Sequence, residues 1–250
     1  MHALLATIEH FRWSGRGSPQ GLLPLVRRLV PWLAAGALVC CALGFWIGLF
    51  LAPADVDHGG VHRIVYLHVP ATWIAVLIFM LLAFWAGVGR FRHSRLAPMM
   101  AEALAPTGTM FAFVALWTGS LWGKALWGAW WVWDMRLVAA LVLMFLYLAI
   151  VALHAGIEDA RRADALVAIL ALAGGAIVLV ALAAAALWPT PHPNPLPPPP
   201  ESVASATGLI AVGAGFWLYS SAVVLLRLRG IILERERQTE WVATCVRDGR

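Results

Sequence analysis

The residues best suited to chemistry lie in one short stretch, Trp117-Thr-Gly-Ser-Leu-Trp122-Gly-Lys-Ala-Leu-Trp127-Gly-Ala-Trp130-Trp131-Val-Trp133-Asp134, which holds six of the chain's fourteen tryptophans. An aromatic belt at a membrane surface sets one or two tryptophans at the end of a span and does not crowd them into one loop. Trp127, Trp130 and Trp131 are spaced i, i+3, i+4, so a short helix here gathers them on one face. That face is a broad, flat, weakly polar platform, and large exposed aromatic patches mark binding sites. A planar aromatic ligand, a lipid or a partner helix would each fit it.

Metal ligands at the same depth decide between these occupants. Of the eight histidines, His2, His10, His93 and His154 fall at the opposite side of the topology derived below, and His58, His62, His68 and His192 at the tryptophan side. His68 stands in Tyr-Leu-His-Val-Pro-Ala-Thr-Trp, where Pro70 suits a first helical turn and leaves His68 at the rim, aimed outward. His192 sits in Pro-His-Pro-Asn-Pro-Leu-Pro-Pro-Pro-Pro, a stiff extended strut that cannot be helical. A histidine at an interface is by itself most often a polar anchor. Two imidazoles from separate connections, meeting at an aromatic platform, form the arrangement that holds haem iron from both faces. Arg63, Lys124 and Arg136 are the cations of that side and suit the haem propionates. Asp134, just before Met135-Arg136-Leu137, also reads as the N-cap of the next helix.

The elements that position these groups follow from composition. Of 250 residues, 62% are apolar and only 12% charged, with a mean hydropathy of +0.80. A soluble domain carries about 25% charged residues, so a soluble enzyme is excluded. Six apolar runs suffice to cross a bilayer as helices, at 31–51, 65–88, 100–122, 137–157, 165–188 and 204–226. The alternation of membrane β-strands is absent. The fold class is an all-α integral membrane protein. Fifteen of the eighteen Lys and Arg residues lie on one side of this topology, the exceptions being Arg63, Lys124 and Arg136. The positive-inside rule places both termini in the cytoplasm. The chain divides into an N-terminal segment 1–30, a six-helix unit 31–228 with its tryptophan loop at 117–134, and a tail 229–250 that reads as a short charged helix over 231–246.

Some chemistries are excluded. No CxxC or CxxCH occurs among Cys40, Cys41 and Cys245, so neither a redox pair nor a haem-attachment motif is present. Gly119-Ser-Leu-Trp-Gly123-Lys124-Ala125 has one residue too few between its glycines for a P-loop and no hydroxyl after the lysine, so the chain is no ATPase. Apart from Glu102 at the start of the run 100–122, the spans lack carboxylates, and they lack the broken-helix signals of an ion-coupled pump.

The run Trp-Gly-Lys-Ala-Leu-Trp-Gly-Ala-Trp-Trp-Val-Trp-Asp closely resembles the tryptophan-rich signature of the haem-handling membrane proteins of bacterial cytochrome c maturation. Length, six spans and the His-Val-Pro that opens span 2 resemble the haem exporter protein C family and not the longer haem lyases. That resemblance covers about residues 31–228. It implies a multi-pass protein of the bacterial inner (cytoplasmic) membrane that binds haem b for transfer at the periplasmic face and passes it to a periplasmic haem chaperone. The implied partners also include the ATPase and membrane subunits of an ABC transporter and a small single-span subunit. Residue by residue, it makes His68 and His192 the axial iron ligands and assigns Trp122, Trp127, Trp130, Trp131, Trp133 and Asp134 to the signature. The proline flanks of His192 depart from the family pattern. Two other classes stay open on the residues alone: a lyase that itself forms the chaperone–haem bond, for which Asp134 is the one acid/base candidate, and a structural subunit whose tryptophans dock a partner helix.

Overall fold

The computed structural model describes residues 19–53, 60–92, 94–187 and 203–242. Six helices follow one another: α1 Pro19–Trp46, α2 Val65–Arg92, α3 Leu96–Trp127, α4 Met135–Gly156, α5 Ala160–Leu187 and α6 Val203–Arg235. A π-helical turn, Ile47–Leu51, prolongs α1, and a 3-10 turn, Gly60–Ile64, leads into α2. Among the described residues six segments are long and apolar enough to cross a membrane. The apolar runs therefore appear as helices, in the expected order.

Most helices outrun the runs that revealed them. α6 has 33 residues, about 50 Å at 1.5 Å per residue, against a hydrocarbon core of about 30 Å. Its added turns absorb the start of the tail, so within the helix expected over 231–246 the last span continues to Arg235, a turn follows over 236–239, and helical backbone resumes at 240–242, with 243–246 outside the described residues. The reason is an ion-pair cluster. Arg235 donates to both oxygens of Asp164 (2.7 and 2.9 Å) and to Glu102, and His154 Nε2 lies 3.5 Å from Asp164. One guanidinium thus ties α6 to α3 and α5, and Asp164 brings in α4, where the planar fork of arginine matches two carboxylates.

α2 is central and packs against α3, α5 and α6, while α1 lies along α6 and α4 along α5. Lipid supplies no hydrophobic drive for helices to associate, so close backbone approach at small residues must do so. The tightest case is Gly108 on α3, where a Cβ would collide with the Tyr147 ring of α4. Tyr147 is fully buried, stands edge-on to Phe79 at 5.0 Å, and donates its hydroxyl to the Ala75 carbonyl of α2 at 2.7 Å. Gly44 of α1 meets Val212 of α6 in the same way, a Cβ there lying 2.6 Å from the Val212 nitrogen.

Ring and hydroxyl contribute separately, and the difference is measurable. Tyr147→Phe keeps the ring and loses one buried hydrogen bond, a cost of about 0.6–1.5 kcal/mol. Gly108→Ala forces the helices apart at that ring and costs about 2–3 kcal/mol, as overpacked cores do. Thermal unfolding of the purified protein in detergent is expected to rank Gly108→Ala well below Tyr147→Phe.

Candidate functional site

His68 is the fourth residue of α2 because the 3-10 turn and Val65 start the helix earlier than Pro70 alone implies. It is not at the rim aimed outward, as the position of Pro70 suggests. Its side chain is buried, 8% exposed, and faces α3. Nδ1 lies 3.0 Å from the Ala115 carbonyl oxygen and 3.0 Å from Thr118 Oγ1. Gly119 gives the ring room, since a Cβ there would stand 3.0 Å from His68 Cε1. Trp122, one turn further along α3, meets His68 edge to face at 5.7 Å and 72°. It meets His62 of the 3-10 turn at 6.1 Å and 76°. One indole therefore bridges two histidines.

Beneath these rings lies a small core of Ala52, Val65, Tyr66, Trp122 and Leu209. Tyr66 is clamped from both sides: a Cβ on Gly48 would fall 2.6 Å from its ring, and one on Gly208 would fall 3.0 Å from its Cε1. Gly48 belongs to the π-helical turn, which carries α1 flat against the ring. Turns of this type are common at functional sites. The end of α1 and the start of α6 thereby hold the first turn of α2, and with it His68.

The tryptophan stretch is not a short helix. α3 runs through Trp127 and stops because Gly128 takes the left-handed conformation (φ 73°) and returns its N–H to the Lys124 carbonyl. Trp127 folds back over Gly123, where a Cβ would be 3.1 Å from the indole. Trp130, Trp131 and Trp133 follow in irregular backbone. Trp131 and Trp133 meet edge to face at 5.8 Å. Trp130 is 57% exposed and Trp133 84%, whereas Trp122 is buried. Trp117 stacks on Phe113 along the outside of α3.

The charged residues of this end have local tasks. Lys124 donates Nζ to the Gly128 carbonyl at 2.8 Å, closing the helix end. Asp134 is buried and caps α4, accepting the Arg136 N–H at 2.9 Å. Arg136 is half-buried, and Arg63 lies on the 3-10 turn beside His62. The buried Arg63 Nε, Trp122 Nε1 and Trp131 Nε1 at this end meet no acceptor among the described residues. Buried donors in native proteins find partners in protein, water or ligand. A set made only of donors, beside tryptophan faces and a buried imidazole, suits a flat apolar molecule with an anionic edge. His192 and His58 lie outside the described residues.

Comparison with known proteins agrees with that chemistry. The family model described as Heme exporter protein C matches residues 12–243. Heme exporter protein C of Escherichia coli K12 is 36% identical over 229 residues, covering 91% of this chain and 94% of the relative. The Bradyrhizobium diazoefficiens relative of that name is 39% identical over 159 residues, 63% of this chain and 59% of the relative. This chain belongs to the heme exporter protein C family.

Within this heme exporter protein C family member, the described structure brings His68, Trp122 and His62 into contact and puts Arg63 next to them in sequence. Trp130, Trp131 and Trp133 it sets apart, on the loop between α3 and α4. The sequence reading passed over Thr118, Ala115, Gly119 and Tyr66, which fix His68. Thr118-Gly119 adjoins the tryptophan run, but only the packing of α2 on α3 joins it to a histidine 50 positions away.

The capping role of Asp134 predicts a graded response. Asparagine caps a helix about as well as aspartate, so Asp134→Asn costs a few tenths of a kcal/mol, whereas Asp134→Ala costs about 1 kcal/mol. Thermal unfolding in detergent should show the alanine variant less stable and the asparagine variant near wild type. Equal losses would mean that the carboxylate charge, not the cap, is what matters.

Proposed function

We propose that this protein binds haem at the periplasmic face of the inner membrane and delivers it to a periplasmic haem chaperone during c-type cytochrome biogenesis. The observation that carries the reading is the buried His68, held by α3 against Trp122 at the tryptophan-rich end of the bundle. The relatives' name, Heme exporter protein C, supports haem as cargo. The distribution of Lys and Arg supports cytoplasmic termini, which turns the tryptophan loop and the 3-10 turn toward the periplasm.

In this reading His68 would supply one imidazole to the haem iron and His192, from the proline-rich stretch of the sequence, the other. Trp122, Trp127, Trp130, Trp131 and Trp133 offer apolar faces to the macrocycle, and the exposed Trp130 and Trp133 are the surfaces a docking chaperone meets first. Arg63 and Arg136 face the propionates, with the buried tryptophan N–H groups as further donors. Lys124 can serve the same anions with the protons not given to Gly128. Asp134 sets the angle at which the loop enters α4. Partners of the same reading are an ABC transporter, whose ATPase supplies the energy this chain has no motif to harvest, and a small single-span subunit.

His68→Gly is expected to lose bound haem, or to keep it only with added imidazole in the vacated place, and His192→Gly to behave likewise. The measurement is haem content and the Soret spectrum of purified protein. An unchanged spectrum in His68→Gly would overturn the ligation. A second variant tests the tryptophans. Each indole buries roughly 150–250 Å² when covered, so replacing Trp127, Trp130 and Trp131 together with alanine should sharply reduce haem retention and chaperone loading without affecting membrane insertion. Full loading by that variant would reduce the tryptophans to interfacial anchors.

A further inference from the structure

We infer that Thr118 and the Ala115 carbonyl fix His68 as the Nδ1-protonated tautomer, so that Nε2 carries the lone pair and is the ligating nitrogen. The inference rests on the proposed ligation by His68 and adds what makes that residue a ready ligand. Thr118 is then a positioning residue of the site.

The argument is one of proton counting. Thr118 Oγ1 lies 2.6 Å from the Val114 carbonyl oxygen and 3.2 Å from that of Ala115. A hydroxyl has one proton, and the shorter contact takes it. Toward His68, at 3.0 Å, the threonine oxygen therefore presents a lone pair. The second neighbour of Nδ1, the Ala115 carbonyl at 3.0 Å, can only accept. An unprotonated Nδ1 would face two acceptors with no hydrogen between them. A protonated Nδ1 satisfies both in a bifurcated bond, and a neutral ring then keeps its lone pair on Nε2. Turning the ring over would set Cδ2–H against the same two oxygens. Gly119 closes the remaining freedom, because the α3 backbone passes so near Cε1 that even a methyl group there is tight.

The consequence is electronic as well as geometric. A hydrogen bond from the remote nitrogen fixes ring orientation and raises the basicity of a ligating histidine, and such bonding is one lever on the potential of haem iron. The α3 turn from Val114 to Thr118 is thereby both a wall of the bundle and the outer shell of the ligand.

The test has two arms on the full-length protein in detergent. In haem-free protein labelled with 15N-histidine at mildly alkaline pH, the His68 signals are identified by their loss in His68→Gly. A protonated Nδ1 with an unprotonated Nε2 is expected, and the reverse assignment overturns the inference. In haem-loaded protein, Thr118→Val removes one acceptor at nearly constant volume, and Thr118→Ser restores it. The reduction potential is expected to shift positive in Thr118→Val and return in Thr118→Ser. An unmoved potential in Thr118→Val overturns the role of Thr118. The first arm needs no haem, so it separates a failure of this inference from a failure of the ligation, which His68→Gly reads through the haem spectrum.

Discussion

Hydrocarbon offers no hydrogen-bond partner, so every polar group within the bundle must find one in the chain itself. Most do so locally. The hydroxyls of Thr72, Thr109, Thr118 and Ser220 each return to the carbonyl four residues earlier in their own helix, a bond that satisfies the group and says nothing about tertiary structure. Tyr147 and His68 differ, because each reaches a neighbouring helix. Both bonds involve α2, one in the middle of the helix and one in its first turn. An element fixed at two depths by directional bonds can neither slide nor rotate, and helices that pack through small residues and dispersion alone have no such register. The position of His68 follows from that fixation more than from the loop that precedes it.

How much of this was legible in the sequence depends on the range of the interaction involved. Six spans are visible because a run of apolar residues is a local property. Their ends are not, because hydropathy falls where charges begin while the helical hydrogen bonds continue. Arg235 shows the difference: it reads as a tail residue until Asp164 and Glu102, far away in sequence, are seen to hold it. Gly128 shows it at short range. The i, i+3, i+4 spacing of Trp127, Trp130 and Trp131 is a true helical pattern, yet one glycine able to take a positive φ ends the helix inside it. His68 was recognisable as a candidate by its residue type and its place at a span's start. Its burial was not, since that depends on Thr118 and Gly119 across a helix interface.

The break at Gly128 changes what the tryptophans can do. On a continuous helix their rings would move only as a rigid row. Instead, the segment between Trp127 and Asp134 is secured at both ends and irregular between. At one end Gly128 and Lys124 exchange hydrogen bonds, backbone to backbone and side chain to backbone. At the other, Asp134 holds the Arg136 N–H and its own carbonyl accepts the first helical bond from Val138. A short tether with two fixed ends restricts where Trp130, Trp131 and Trp133 can be, yet leaves Trp130 and Trp133 largely uncovered. For the proposed role, in which this surface would grip a flat molecule and later release it, that is a better compromise than a ring buried on every side.

The two ends of the bundle are finished by different means. Where the cationic tail begins, Arg235 is met by the carboxylates of Glu102 and Asp164, so charges in a half-dry setting are compensated by one another. At the tryptophan end the buried donors of Arg63, Trp122 and Trp131 meet no acceptor among the described residues. Leaving a buried donor unmet costs about 1–3 kcal/mol, so these donors call for acceptors beyond the described residues, in protein, water or ligand. Water would meet them one at a time. An anion beside an apolar plane would meet several together, while the imidazole of His68 and the indole of Trp122 took the plane itself. In the proposed function, haem is the molecule that would bring these groups together.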